Sequence, residues 1–172
     1  MAYEEIYDLD SLRRAVERLA QLIKAPPYDI PTCDPLREGP HIEHDALGFH
    51  FVQVERGKEF QRFTSESADE ILYTIFQQVT FFMAVAYEVR HRISGKDHRR
   101  QIFPHQLELL ERLQPAWSAK MRAAIAGVAF DDDSDARVDY CVELRRTTKL
   151  SEREIWVEAC NNFPLPKAEP AP

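Results

Sequence analysis

Six histidines are the first residues in this chain that could do chemistry, as metal ligands or as proton carriers. His41 and His44 are three apart, which on a strand sends them to opposite faces and spoils chelation. His91, His98 and His105 recur every seven residues, which would align them on one unbroken helix. Gly95 and Pro104 interrupt such a helix, so no metal site is expected. Asp131, Asp133 and Asp135 alternate like the ligands of a calcium loop. Ala136 stands where that loop needs glycine, and Val142 where it needs glutamate. The segment then reads as a solvated acidic loop or as a contact patch for a basic partner.

Catalytic and cofactor patterns are missing. No P-loop, no glycine-rich dinucleotide turn and no G-x-S-x-G elbow occurs, and five glycines leave little room for any of them. Cys33 with a histidine is formally a nucleophile pair, but a lone cysteine in a proline-rich stretch is a weak signal. No cofactor and no catalytic residue is expected. Two basic runs, Arg90–His91–Arg92 and Lys96 with His98, Arg99 and Arg100, surround Gly95. Basic side chains suit a helix C-terminus, where they meet free carbonyls. They could instead form an anion site, which keeps open a small cytoplasmic enzyme or anion-ligand-binding protein.

These residues need elements to position them. Asp10 can cap a helix running to about Lys24, with Leu12, Val16, Leu19, Ala20 and Ile23 at helical spacing. Residues 25–40 hold five of the eleven prolines and read as an extended linker. Three short antiparallel strands follow, at about 41–45, 49–55 and 59–64, with Gly48 and Gly57 in the turns. Phe51, Val52 and Val54 do not share one face, so the meander must be bulged or covered on part of both sides. Ser67 and Glu70 form a capping box for a long helix to about Ser94. That helix is apolar on most sides, the mark of a buried central element. Pro104 leaves two readings, a helix starting near Phe103 or one starting at Asp97 that bends. Pro115 starts another helix, with Trp117, Met121 and Ile125 inward and Gly127 at its end. Ser134 can cap a helix to about Arg146, and Ser151 with Glu154 a last one to Asn161–Asn162. The sum is an α+β fold, a mostly helical single domain with a three-stranded antiparallel meander packed on a long central helix. Residues 1–162 form that domain and 163–172 a Pro-rich tail.

Composition narrows the classes further. The 172 residues fit one domain, and an apolar share of 44% excludes global disorder, collagen and a membrane bundle. The net charge of −7 argues against a nucleic-acid footprint. No apolar run is long enough to span a bilayer, and residues 1–10 lack the features of a signal peptide. A cytoplasmic protein is expected, with Cys33, Cys141 and Cys160 as free thiols.

Read in order, one set of residues carries a resemblance. It comprises Gly39-Pro40-His41-Ile42-Glu43, Gly48-Phe49-His50-Phe51-Val52 and Glu55-Arg56-Gly57. It continues through Glu70-Ile71-Leu72-Tyr73, Val79-Thr80-Phe81 and Ala84-Val85-Ala86-Tyr87-Glu88-Val89-Arg90. Asp97-His98-Arg99-Arg100, Phe103, Gln106-Leu107-Glu108-Leu109-Leu110, Leu113, Pro115, Trp117 and Phe130-Asp131-Asp132 complete it. This ordered set resembles the Imm63 family of immunity proteins from bacterial polymorphic toxin systems, over about residues 39–132. Pro104 departs from the pattern, and 134–172 extends past it.

The resemblance implies a non-enzymatic inhibitor that binds a cognate toxin domain encoded by a neighbouring gene; charge and hydropathy add the expectation of no nucleic-acid or membrane partner. Acidic charge would speed its encounter with a basic toxin. The expected contacts are Asp131, Asp132, Asp133 and Asp135, with Glu55 and Arg56 as a second patch. An effector-specific chaperone or adaptor would share that acidic surface.

Overall fold

The computed structural model describes residues 6–27, 30–34 and 39–167. The elements in chain order are α1 (Leu9–Ile23), β1 (Gly39–Asp45), β2 (Gly48–Glu55), β3 (Lys58–Ser65), α2 (Ala68–His91), α3 (Arg99–Leu113), α4 (Pro115–Ile125), α5 (Ser134–Thr147) and α6 (Glu152–Asn162). The three strands form an antiparallel meander in the order β1-β2-β3. This is the expected α+β architecture.

Alternation explains how the sheet sits. Ile42, Phe51 and Phe63 lie opposite one another across the three strands, and Phe49 shares their face. That face joins the main apolar core, where Ile42, Phe49 and Phe51 pack with Leu12, Leu19, Leu72, Phe76, Leu110 and Trp117. The expected bulge is real, a register shift at Gln53/Val54. The other face is covered in part as well, since His41, His50 and Val52 are all buried. Gly48 has φ of 116°, and a Cβ there would come within 2.7 Å of the Ser65 carbonyl oxygen, so only glycine lets β2 start beside the end of β3. Thr32 extends the pattern from the linker by bridging to His41 in parallel. Residues 28–29 and 35–38 of that linker, and 168–172 of the expected tail, lie outside the described residues.

Several boundaries differ from the sequence reading, each for a local reason. Asp8, not Asp10, caps α1, because its carboxylate reaches the Ser11 amide and the Ser11 hydroxyl answers the Asp8 amide. Ser67 caps α2, but Glu70 turns to the Ser65 hydroxyl, so only half of the expected box forms. The α2 helix ends at His91, three residues early, and Gly95 sits in the turn beyond it with φ of 71°. Its stretch from Ile71 to Thr80 is largely buried, whereas Phe81, Phe82 and Val89 are exposed. Pro104 lies inside α3 near its start, where a missing amide removes one bond only. Asp133 precedes α5 without a side-chain cap and Ser134 is its first residue. Pro115 and the Ser151–Glu154 box start their helices as expected.

The α5–α6 pair has its own small apolar cluster, Cys141, Ile155 and Ala159 flanked by Tyr140 and Leu144. It is separate from the main core.

Candidate partner-binding face

A cleft of about 350 Å³ opens where the sheet, α2, α3 and α4 meet. Its floor and walls are Phe51, Phe81, Phe103 and Met121, with Gln53, Gln61, Thr74, Gln77, Gln78 and Gln106 among them. The bulge in β2 falls at Gln53, and Gln53 Nε2 donates to Gln78 Oε1 at 2.7 Å. Gln106 Nε2 donates to the Gln77 carbonyl at 2.9 Å. No acid, base or thiol lines this cleft, so its chemistry suits recognition and not proton transfer.

Neither of the two expected contact patches lines it, and each connects to it through neighbouring residues. On one side the β2–β3 turn carries Glu55 and Arg56 two residues beyond Gln53, both well exposed. On the other, Phe103 packs against Phe130, and the Arg100 guanidinium lies over the Phe130 ring at 4.5 Å. Arg100 Nε then donates to Asp132 Oδ1 at 2.7 Å.

The four aspartates divide into two pairs. Asp131 accepts two hydrogen bonds from the Arg137 guanidinium, at 2.7 and 3.0 Å. Asp132 accepts from Lys96, Arg100 and the Asp97 amide. Both carboxyls are therefore held well below the usual carboxylate range, chiefly by Arg137 and Arg100 respectively. Asp133 and Asp135 are exposed at the start of α5, where the helix dipole favours a negative charge.

Asp97 organises this region. Burial pushes its carboxyl up, but the Arg99 side chain and the amides of Asp131 and Arg99 outweigh that and bring it down to about 2. A polar cavity of about 340 Å³ lies here, lined by Lys96, Asp97, His98, Arg99, Asp131, Asp132, Ser134 and Asp135. Four cations of this basic turn already have acids. Arg99 pairs with Asp97, Lys96 and Arg100 share Asp132, and Arg92 pairs with Glu88. The basic turn near Gly95 is thus a folding device, and an anion would have to compete with carboxylates for it.

The remaining chemical candidates find structural partners. His41 and His44 do point to opposite faces. On the outer face His41 Nε2 lies 3.1 Å from Glu43, and His50 Nδ1 lies 2.8 Å from the Thr64 hydroxyl. His50 Nε2 comes within 2.9 Å of Asp45 but without hydrogen-bond alignment. The helix does break between His91 and His105, yet both rings stack on Tyr87, at 4.1 and 4.2 Å. Among the described residues no cluster of histidine, cysteine, aspartate and glutamate could hold a metal. Cys33 is half-buried, and burial pushes its thiol up, the opposite of activation.

Sequence reasoning missed the cleft, Asp97 and Arg137. The cleft's residues spread from Phe51 to Met121 with no local spacing in common. The one available signal was Gln77–Gln78, two amides interrupting the apolar run of α2. Arg137 had none, since a buried arginine is identified by its partners.

No helix among the described residues is long and apolar enough to cross a membrane. Neither the curated proteins nor the solved structures compared with the chain gave a match. A family model did, that of Immunity protein 63, over residues 44–127, just under half of the chain. The matched stretch runs from the end of β1 through α4 and contains every residue that lines the cleft. Over that stretch the chain is similar to the Imm63 family of immunity proteins.

Proposed function

We propose that this protein neutralises a cognate bacterial toxin domain by direct, stoichiometric contact in the cytoplasm, and that it is not an enzyme. The observation that carries the reading is the Imm63 match, which spans the elements around the amide-lined cleft. The proposed contact face comprises Asp133 and Asp135 with Asp131 and Asp132 beneath them, the cleft, and Glu55 with Arg56 at the hairpin turn. A net charge of −7 supports it, because opposite charge raises the encounter rate with a basic toxin. The toxin is expected from a neighbouring gene.

The test is a growth rescue. The toxin-like domain encoded beside this gene is expressed in a naive bacterial host, with and without this protein, and the pair is run by size exclusion. Relief of toxicity with a stoichiometric complex is the expected result. Killing that persists beside soluble inhibitor, with no complex, overturns the pairing. A partner that is harmless alone but unstable without this chain would make the protein a chaperone.

A further inference from the structure

The C-terminal half of α2 carries an apolar face open to solvent. Phe81 and Phe82 are each 41% exposed, Val89 is 61% exposed, and Ile93 just past the helix end is 54% exposed. Ala86 is exposed between them and Val85 is half-buried. At 3.6 residues per turn, Phe82, Val85, Ala86 and Val89 fall on one side of the helix, with Phe81 at its edge. Nearer the start of α2 the same side is buried, since Ile71 and Ile75 lie in the main core. From Phe81 to Ile93 the face spans about 18 Å.

Charge selects what fits it. Between Gln78 and Ile93 the only acid is Glu88, which is buried and accepts from the Arg92 guanidinium at 2.8 and 3.0 Å. Arg90 and His91 are exposed beside the face. The face is therefore apolar with a basic margin, on a chain of net charge −7. A basic partner would be repelled there and drawn to Asp133 and Asp135 instead. An acidic partner with an apolar stripe of its own fits, and a second copy of this chain is one.

Symmetry and size agree. A two-fold axis beside Val85 and Ala86 sets the two α2 helices antiparallel and packs Phe82 of each copy on Val89 of the other. The small Ala86 lets the helices approach to about 8 Å. The exposed side chains supply roughly 400 Å² of apolar area per copy, so with a polar rim of ordinary proportion a pair buries about 1,200 Å², the lower end for a specific interface.

We propose that α2 pairs antiparallel with α2 of a second copy through Phe82, Val85, Ala86 and Val89, making the protein a weak homodimer. The pairing does not rest on the immunity reading.

Sedimentation equilibrium of the full chain tests it. As concentration rises, the mean mass should climb from 20.0 kDa towards twice that value, with a Kd on the order of 10–100 μM. Salt at about 1 M should leave the association intact or strengthen it, because the contact is apolar and the like charge of the copies is screened. Val89→Glu sets a carboxylate against Phe82 of the second copy and should raise Kd about tenfold or more. Trp156→Ser, at the exposed aromatic of α6, should leave Kd unchanged. Should Val89→Glu fail to fold, dilution of the unaltered protein carries the test, and its ¹H–¹⁵N NMR shifts should be confined to residues 78–93. A chain still monomeric at about 500 μM, a dimer lost in high salt or in Trp156→Ser, an unchanged Kd in Val89→Glu, or dilution shifts centred on α6 would overturn the pairing. So would a monomeric chain whose toxin complex is lost in Val89→Glu, which would give the face to the toxin.

Discussion

Trp117 and Arg137 are each 2% exposed, and they hold two regions of the molecule by different means. Trp117 packs on Phe76 and Tyr73 inside the main core, with its indole N–H on Asp69. Arg137 sits at the base of the α5–α6 hairpin with its guanidinium on Asp131 and on the carbonyls of Phe163 and Pro164. Asp131 in turn gives its amide to Asp97 in the α2–α3 turn. The body is therefore held chiefly by non-directional apolar burial, and the hairpin by aimed charges beside its small apolar cluster. Apolar burial tolerates acid and salt, whereas the charged network depends on protonation state. The family match ends at residue 127, between the two regions.

The largest expected effect tests the body. Trp117→Ala should cost about 4 kcal/mol, through the cavity it leaves, and should lower the urea midpoint of the whole protein. Loss of hairpin structure alone would contradict this division.

Arg137→Met should cost about 3 kcal/mol, because it leaves Asp131 without its partner. The loss should fall on the hairpin. Hydrogen exchange should quicken in α5 and α6 while α2 amides keep their protection. Uniform quickening would show that the two regions unfold together.

Acid should act in the same place. The Asp97 carboxyl lies at about 2 in the folded protein against an ordinary 3.8. A depressed carboxyl stabilises above its unfolded value and loses that contribution as pH falls through its folded value. About 2 kcal/mol should therefore be present at pH 4 and fade towards pH 2. The two tryptophans report separately, Trp117 from the body and Trp156 from α6. In Trp117→Phe and Trp156→Phe variants, the hairpin signal should change before the body signal on acidification.

The smallest effect on stability belongs to the exposed acids. Asp133→Ala with Asp135→Ala should change stability by about 0.5 kcal/mol or less, yet slow toxin association and flatten its salt dependence. An unchanged on-rate at low salt would remove these two residues from the contact face. Asp131→Ala and Asp132→Ala should instead destabilise, since both carboxylates are engaged within the fold.

The division also marks what could be read in advance. Apolar periodicity and local signals placed the elements of the described residues, with the start of α3 left open between Asp97 and Phe103. Pro115, the Ser151–Glu154 box and the Gly48 turn each act through neighbours a few residues away. The two errors at helix starts, Asp10 for Asp8 and Ser134 for Asp133, arose because adjacent polar residues offer equivalent caps until the chain direction is known. The candidate face was only half legible. An acidic run is visible in any sequence, but its division into engaged and exposed carboxylates depends on Lys96, Arg100 and Arg137.

Charge, helix positions, the meander and the family resemblance thus follow from residue order, because each depends on composition or on contacts a few residues apart. Tertiary structure alone decided that Asp97 gathers two segments, that Tyr87 lies between His91 and His105, and that a cleft forms with Gln106 Oε1 unanswered. Hydrogen bonds and ring stacking need ångström-scale distances and defined angles between residues far apart in sequence, and only the packed helices and sheet set those.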